Sequence, residues 1–319
     1  MADMAESPAA WENPACPLCG SESARRLFVA RDRLLGRPGE FPVVRCSGCG
    51  LVFLKPRPTK EALGAYYPDD YYPLDQQPSP EAEAVAHDLL GSVSTVAHGR
   101  GLRQPRILDI GCGVGLFLHR AEEAGMAVQG IELSASAVNY ARTNYGLDVH
   151  HGTLGDANIP LACRDIVVMW HVLEHLPDPL AGLRQVAGIL APGGVLLAAV
   201  PNFDSYEARL FGRRWYSLDA PRHLIHFTPA TLTIAVEQAG LQVQTITHSS
   251  GTAGLVYSLM GDLTGVSLKL RHRPLSEPAY HRTAAILHRL TRPACLAAAH
   301  LRHGGALELQ ATKPPTPSM

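Results

Sequence analysis

An alternating run of glycines and a later acid are the residues in this chain whose spacing most clearly suggests ligand chemistry. A short apolar run over residues 106–110 leads into three glycines, Gly111, Gly113 and Gly115. Glycine can adopt positive φ and let the backbone approach a ligand, and a helix starting beyond it offers unpaired N–H groups to an anion. A second apolar run ends in Glu132, whose carboxylate can accept hydrogen bonds from both hydroxyls of a ribose. The pattern predicts a nucleotide-type pocket, with a tight strand-to-helix turn as the alternative.

The glycine spacing and Asp109 distinguish between kinds of nucleotide. Dinucleotide sites use Gly-x-Gly-x-x-Gly to clear a pyrophosphate, whereas this chain has Gly-x-Gly-x-Gly. Asp109 lies inside the strand just before the loop, where a carboxylate would repel a pyrophosphate but could bind a ligand ammonium. The residues therefore favour an amino-acid nucleoside over NAD.

Four of the seven cysteines form two Cys-x-x-Cys pairs, each followed by a glycine that permits a tight turn: Cys16, Cys19, Cys46 and Cys49. Four thiolates in a tetrahedral array suit a structural Zn²⁺ ion. The stretch between the pairs is longer than usual, so we expect a hairpin over residues 28–41. Two disulfides or a redox role are the alternatives. The scattered Cys112, Cys163 and Cys295 are expected to be small apolar residues.

The elements that must position these residues follow from short apolar runs alternating with longer amphipathic ones, which predict a parallel sheet covered by helices. Predicted strands lie near 106–110, 127–132, 148–150, 165–170, 194–200, 241–247 and 305–313. Predicted helices lie near 81–96, 116–124, 134–144, 179–190 and 229–239. Ligands of such sheets bind beyond the carboxyl ends of the strands, where the glycine loop and Glu132 would meet.

Residues 108–115 and 131–134 resemble the first motif and the second strand end of the class I S-adenosylmethionine-dependent methyltransferases. The resemblance covers roughly residues 100–313. It implies S-adenosyl-L-methionine as the cofactor of an α/β, Rossmann-like doubly wound sheet with a reversed last strand near 306–313. The implied cofactor-binding residues are Asp109, Gly111, Gly113, Gly115, Glu132, Leu133, Thr153, Leu154, Trp170 and His171. In this family the loop at 152–156 frames the adenine, and residues 169–171 lie beneath the methionyl part.

The four-cysteine segment resembles the N-terminal zinc-ribbon module of certain bacterial methyltransferases. We expect residues 1–72 to form this module with a tyrosine-rich segment and 73–105 to form a linker and a helix. Residues 106–319 would then be the methyltransferase domain, with a substrate insertion at 201–228. The tyrosines could line a substrate mouth or pack the module against the larger domain: Tyr66, Tyr67, Tyr71 and Tyr72.

The insertion carries polar and aromatic residues without helical or strand periodicity, as is typical of substrate-contacting loops. Methyl transfer to a hydroxyl or a carbon acid requires removal of a proton, and histidine suits that role near neutral pH. We predict His223 as the base and His226 as the second candidate, with a structural role as the alternative for each. Similar zinc-bearing sugar C-methyltransferases have Glu-His where this chain has Arg222-His223. Arg222 could clamp an anionic group of the acceptor or pair with Asp219.

Residues 171–175 read His-Val-Leu-Glu-His, a pattern also used by inverted zinc peptidases. On a helix, His171, Glu174 and His175 would share one face and could hold a metal. Prolines soon afterwards interrupt any long helix, and class I methyltransferases without a catalytic metal carry a similar Leu-Glu-His sequence. The favoured interpretation is a hydrogen-bonded Glu174–His175 pair that supports the loop.

Composition limits the partners. A formal net charge of −1 with 46% hydrophobic residues fits a globular chain without global attraction to nucleic acid or anionic lipid, and leaves room for a local basic patch. The N-terminus lacks signal-peptide features, and no stretch reaches the ~20 apolar residues of a membrane span. A cytoplasmic location is therefore expected, and the residues do not define an oligomeric state.

Three functions fit these residues. The favoured one is methyl transfer to a hydroxyl or carbon of a small-molecule acceptor such as a sugar, glycan precursor, quinone or other secondary metabolite. The second is methylation of RNA gripped by the zinc ribbon, which six arginines near the cysteine pairs favour and the near-neutral net charge disfavours. The third is a binding module that keeps the fold without the reaction.

Overall fold

Three sheets, of seven, four and two strands, organise the part of the chain that this computed structural model describes, residues 10–67, 78–264 and 277–315. The N-terminal elements are β1 (Trp11–Glu12), β2 (Ala24–Ala30), β3 (Phe41–Cys46), β4 (Val52–Leu54), β5 (Arg57–Pro58) and α1 (Lys60–Leu63). There follow α2 (Pro80–Gly99), β6 (Arg106–Ile110), α3 (Leu116–Glu123), β7 (Ala127–Glu132), α4 (Ala135–Tyr145), β8 (Val149–His151), β9 (Arg164–Trp170), α5 (Pro179–Ile189) and β10 (Leu190–Pro201). The remainder comprises α6 (Tyr206–Phe211), β11 (Ile225–His226), α7 (Pro229–Gln238), β12 (Gln242–His248), α8 (Ala253–Thr264), α9 (Glu277–His300) and β13 (Ala306–Thr312).

The large sheet has seven strands in the order β12-β13-β10-β9-β6-β7-β8. Its central strands pair in parallel, whereas β13 runs antiparallel to both neighbours. Ile107 and Leu108 of β6 are fully buried, as expected for a short branched strand covered on both faces by helices. These observations confirm the predicted Rossmann-like doubly wound sheet with a reversed last strand.

The predicted elements of this sheet lie close to the observed ones. The largest difference is β10, which begins at Leu190 and has an irregular register up to Val195. The sequence pattern missed α6, α8 and α9. The pattern of α9 is broken by Pro293 within the helix, and histidines and arginines interrupt its apolar residues. No helix in the described ranges is both long and apolar enough to cross a membrane.

A second sheet joins the cysteine-bearing segment to the insertion. Its strand order is β11-β4-β3-β2, and β2 and β3 form the predicted hairpin around residues 28–41. The edge strand β11 comes from the insertion and pairs antiparallel with β4. The backbone N–H of Leu54 also donates to the carbonyl of Leu224 at 3.0 Å. The residues beside the two candidate bases are therefore held by the N-terminal sheet.

Candidate functional site

A cleft of about 1910 Å³ opens at the carboxyl ends of the parallel strands. Such an edge is where ligands of doubly wound sheets bind, and the cleft exceeds the roughly 300–1,000 Å³ typical of small-molecule pockets. The predicted site residues in its lining are Gly111, Glu132, Leu133, Thr153, Trp170, His171 and His223. The others lie outside this lining: Asp109, Gly113, Gly115, Leu154 and His226. The structure thus gathers residues from four strands and the insertion around a space large enough for two small molecules.

The glycine loop adopts backbone conformations that favour glycine. The φ angles of Gly111, Gly113 and Gly115 are 73°, 55° and 81°. A Cβ on Gly111 would lie 2.5 Å from Val172 Cγ2, and one on Gly115 would lie 2.6 Å from Leu147 Cδ1. Glycine is therefore required at these positions by close packing as well as by conformation.

Two buried carboxylates lie beside this loop. Glu132 accepts hydrogen bonds from the backbone N–H of Gly113 at 2.9 Å and of Ser134 at 2.8 Å, which leaves lone pairs for ribose hydroxyls. Burial, followed by the charge of Glu132, raises the pKa of Asp109 well above its ordinary value. A ligand that carries positive charge would relieve this repulsion, as the ammonium and sulfonium of S-adenosylmethionine can.

Of the remaining predicted cofactor residues, Leu133, Thr153, Trp170 and His171 line the cleft and Leu154 does not. Leu133 is 68% exposed, which leaves an apolar surface for a ring. Thr153 is held in a tight turn because its backbone N–H and hydroxyl both donate to Asp156, and Leu154 packs on the core. His171, beside Trp170, has a φ of 57°. Positive φ is uncommon outside glycine and is often found at functional sites.

A cluster of histidines and carboxylates lies where the short turn Leu173–His175 meets the insertion. Nδ1 of His171 lies 3.3 Å from Oε1 of the buried Glu174. Nε2 of His223 lies 3.9 Å from the same oxygen and 4.0 Å from Oδ2 of Asp219. Nδ1 of His223 lies 2.8 Å from the carbonyl oxygen of Ser217. Because that carbonyl can only accept, Nδ1 donates to it, and in the neutral tautomer the lone pair is on Nε2.

Glu174 and His175 bond to different partners instead of forming the expected pair. Nδ1 of His175 donates to the carbonyl of Arg222 at 3.0 Å and lies 2.8 Å from the hydroxyl of Tyr67. Burial and the charge of His223 lower the pKa of His175 to about 4. Burial alone would raise the pKa of Glu174, but the hydrogen bond from His171 and the nearby imidazoles lower it to about 2. Glu174 is therefore an anion and His175 a neutral imidazole at pH 7.

Glu174, His175 and His223 are also close enough together to coordinate a metal ion. One ligand atom from each of Glu174, His175 and His223 can be chosen so that all three lie within 4.8 Å of one another. The peptidase-like pattern does not form the helix that a zinc peptidase needs, since residues 173–175 form only a short 3-10 turn. The cluster can therefore serve proton transfer or coordinate a cation.

Arg222 pairs with carboxylates of the chain itself and does not face the cleft. It is completely buried. Its guanidinium donates to Asp219 at 2.6 Å and to Asp32 at 2.6 Å, and a further N–H donates to the carbonyl of Tyr66 at 3.3 Å. Asp32 also accepts from the backbone N–H groups of Leu34 and others in its hairpin loop. Arg222 therefore connects the insertion to the N-terminal hairpin. Of its two expected roles, binding an acceptor anion or pairing with Asp219, the structure shows the pairing.

His226, the second candidate base, lies in the interior. It is buried on β11, and its Nε2 has no hydrogen-bond partner among the described residues. Burial lowers the pKa of His226 to about 3. Of the two candidates, His223 is therefore the one that lines the cleft.

The four predicted zinc ligands converge. Cys16 Sγ lies 3.5 Å from Cys49 Sγ, and Cys19 Sγ lies 3.5 Å from Cys46 Sγ. All four thiol sulfurs lie within 4.8 Å of one another. Tetrahedral zinc with Zn–S bonds of about 2.3 Å needs sulfurs about 3.8 Å apart, whereas a disulfide needs about 2.05 Å. The donor set therefore fits a Zn²⁺ ion.

Two further side chains at the site, Asp32 and Glu207, had no signal in the sequence, whereas Tyr67 belongs to the tyrosine set that was expected to line a substrate mouth or pack the module. Asp32 orders the hairpin loop and binds Arg222. Tyr67 lines the cleft, whereas Tyr66 packs edge-on against Phe41; Tyr71 and Tyr72 lie outside the described residues. Glu207 of α6 is 5% exposed, lines the cleft and accepts a hydrogen bond from the Trp215 indole at 3.2 Å. Asp32 acts through a partner 190 positions away and Glu207 is defined by its burial, and no local pattern reveals either property.

Comparisons with known proteins agree with this geometry. A family model described as a methyltransferase domain matches residues 82–246. A ubiquinone biosynthesis O-methyltransferase of Aromatoleum aromaticum is 31% identical over 175 residues, which are 51% of this chain and 75% of that relative. A Mycolicibacterium smegmatis protein named as a probable S-adenosylmethionine-dependent methyltransferase is 31% identical over 156 residues, 47% of this chain and 58% of its own length.

A solved structure shows the same fold over a longer stretch. The crystal structure of the cyclase SpnF aligns with a TM-score of 0.51 at 19% identity and covers 82% of this chain and 98% of that chain. At this identity the likeness concerns the fold alone, so the family rests on the sequence matches. The chain belongs to the family of S-adenosylmethionine-dependent methyltransferases.

Proposed function

We propose that this enzyme methylates a hydroxyl or carbon atom of a small-molecule acceptor, with His223 as the base that removes the acceptor proton. The observation that carries the proposal is the orientation of His223. Its Nδ1–H is fixed on the carbonyl of Ser217, its Nε2 lies beside Glu174 and Asp219, and the residue lines the cleft. A base needs such an available lone pair within reach of the substrate.

The cofactor would occupy the end of the cleft formed by β6, β7 and β9. S-adenosylmethionine supplies a methyl group on a positively charged sulfur. Glu132 would hold the ribose, Asp109 would offset positive charge, and Leu133 with Thr153 would flank the adenine. Trp170 and His171 would position the methionyl part. The assignment is supported by two buried carboxylates next to each other, an arrangement that is costly without a cationic ligand.

The side chains around His223 suit a proton acceptor. Bound S-adenosylmethionine would supply the methyl group and leave as the neutral thioether, and Nε2 of His223 would take the proton that the acceptor oxygen or carbon loses. The imidazolium formed at His223 would lie close to the anions Glu174 and Asp219. Burial alone would raise the pKa of Asp219, but the charge and hydrogen bond of Arg222 together with the nearby imidazoles hold it below its ordinary value. Preorganised carboxylates stabilise the charge that develops on the base.

The relatives indicate where to look for the acceptor. The Aromatoleum aromaticum relative is named for O-methylation in ubiquinone biosynthesis, so phenolic and catecholic hydroxyls are the first acceptors to test. The sugar, glycan-precursor and RNA alternatives differ in their acceptor groups. A panel that contains all of these classes therefore separates them.

The four-cysteine segment has a defined role in this proposal. Residues 10–58 would fold around Zn²⁺ held by the four thiolates, and β4 together with Asp32 would hold the insertion in place. The module would thus position His223 through Arg222 and β11 without contacting the methyl group. This role is supported by the completely buried Arg222–Asp32 pair at 2.6 Å.

The experiment measures transfer of radiolabelled methyl from S-adenosylmethionine by the zinc-loaded full chain. The panel comprises a catechol with an apolar tail, a free sugar, a nucleotide-linked sugar and a structured RNA. His223→Gln should lower kcat by about 10²- to 10⁴-fold with unchanged cofactor affinity. His226→Gln is the matched comparison and should retain most of kcat.

Three outcomes would contradict the proposal. Methyl transfer to the RNA and to none of the small molecules would show that the acceptor is RNA. Turnover of the His223→Gln variant within a few-fold of wild type would remove that residue as the base. A strict requirement for added Mg²⁺ would assign Glu174, His175 and His223 to a cation instead of proton transfer.

A further inference from the structure

Helix α9 exposes large apolar side chains to solvent on one face. Ile286, Leu290 and Leu296 each expose between 50% and 71% of their surface. At 3.6 residues per turn these three positions fall within an arc of about 120°. The opposite face packs on the protein, with Ala284 against α8 and Cys295 in the main core. One face of α9 is therefore buried in the protein, and the opposite face presents apolar side chains to solvent.

The exposed face is basic. Arg282, Arg289 and Arg292 are exposed and make no ion pair with the described residues. The sequence contains no aspartate or glutamate between Glu277 and Glu308. The near-zero net charge of the chain therefore conceals a local excess of positive charge on this helix.

Further exposed apolar side chains lie just after α9 and on α6. Leu301 follows the end of α9, and Tyr206 and Leu210 project from α6 four residues apart; each of the three exposes more than half of its surface. The backbone N–H of Tyr206 donates to the carbonyl of His303 at 3.0 Å, which places the start of α6 against the end of α9. Six of the nine large exposed apolar residues of the described chain thus belong to this region.

We propose that the exposed face of α9, extended by α6, docks this enzyme on the surface of an anionic lipid membrane. Helices that combine an apolar arc with arginines and lack acids bind at the interface by burying the arc among lipids while the arginines reach the headgroups. Single apolar residues on a surface need no explanation, but six exposed ones gathered on α9, just after its end and on the nearby α6 indicate a partner. The unpaired arginines identify that partner as anionic.

The docking face adjoins the cleft. His288, Arg289 and Arg292 of α9 also line the cleft wall, so a membrane-bound enzyme would hold its cleft near the lipid surface. A lipophilic acceptor could then enter without crossing water. This consequence rests on the proposed function, whereas membrane docking itself does not.

The test is flotation of the zinc-loaded full chain with two kinds of vesicle, phosphatidylcholine alone and phosphatidylcholine mixed with phosphatidylglycerol. Wild type should bind the mixed vesicles, and binding should weaken as salt is raised. Leu290→Asp should reduce the partition constant by at least about tenfold because one leucine no longer buries its surface. Arg282→Gln should reduce it by about fivefold.

Leu161→Asp is the matched control because Leu161 is 77% exposed and lies outside α6 and α9. It should bind the mixed vesicles as wild type does, and all variants should retain wild-type melting temperature and affinity for S-adenosylmethionine. Absence of wild-type binding to both vesicles would overturn the proposal, as would equal losses in Leu161→Asp and Leu290→Asp. Equal binding to both vesicles would refute an anionic partner. A dimer that Leu290→Asp abolishes, without vesicle binding, would show that a second copy covers the face.

Discussion

Replacing Glu207 by glutamine should make the enzyme more stable at alkaline pH and leave it nearly unchanged at acid pH. Glu207 is buried and accepts a hydrogen bond from the Trp215 indole. Burial raises its pKa from 4.5 to about 7, against a smaller lowering by that hydrogen bond. Glutamine keeps the size of the side chain and an oxygen for the indole, but it cannot ionise.

The sign follows from the protons bound by each state. Between about pH 4.5 and pH 7, the folded protein retains a proton on Glu207 that the unfolded chain has lost, so rising pH favours unfolding. Above about pH 7 Glu207 is ionised in both the folded and the unfolded state, so the loss of stability no longer grows with pH. At about 1.4 kcal/mol per pH unit over a window of about 2.5 units, it is on the order of 3 kcal/mol. Glu207→Gln should remove most of this penalty.

The assay is urea unfolding of both proteins from pH 4 to pH 9, with the difference in unfolding free energy plotted against pH. The difference should be near zero at pH 4, rise through pH 4.5–7 and level off above. Glu237→Gln, which removes an exposed carboxylate on α7, serves as the control for the loss of one charge. A difference that stays flat with pH, or that matches the control, would refute the argument from burial.

Two further substitutions test the cofactor site and the connection between the sheets. Glu132→Gln should weaken S-adenosylmethionine binding roughly 10- to 100-fold in calorimetry, since a charged hydrogen-bonding partner is worth about 1.5–3 kcal/mol; unchanged affinity would remove Glu132 from the pocket. Asp32→Asn should cost about 3 kcal/mol of stability because it leaves the buried charge of Arg222 undercompensated. The affinity of Asp32→Asn for S-adenosylmethionine should stay within a few-fold of wild type. A loss of affinity as large as that of Glu132→Gln would contradict the view that Asp32 acts only by holding the insertion.

Much of the fold could be predicted because its determinants are local. The run 106–110 is short and branched and ends in glycines, so it can only be a buried strand that turns sharply into a helix. The reversed strand β13 followed from the family resemblance. The helices α8 and α9 were missed because their burial depends on each other: Ala284 of α9 packs on Val256 and Met260 of α8.

The site could be predicted only where residues act through their own loop. The glycine loop and Glu132 are examples, since strand ends place them at one edge of the sheet. The role of Arg222 could not be read in the same way. Its partner Asp32 lies 190 positions away in the chain, and the pairing exists because β11 adds to the N-terminal sheet.

The sequence by itself determined the parallel sheet and the four-cysteine set, because spacing along the chain is enough to define strands, turns and adjacent thiols, and the methyltransferase family followed from the resemblance of residues 108–115 and 131–134. Only the tertiary structure decided which histidine lines the cleft, that Arg222 is sealed between two aspartates, and that Glu207 is a buried carboxyl. It also showed that α9 presents a basic apolar face to solvent. These properties depend on burial and on partners from distant segments, and burial is set by the packing of the whole chain.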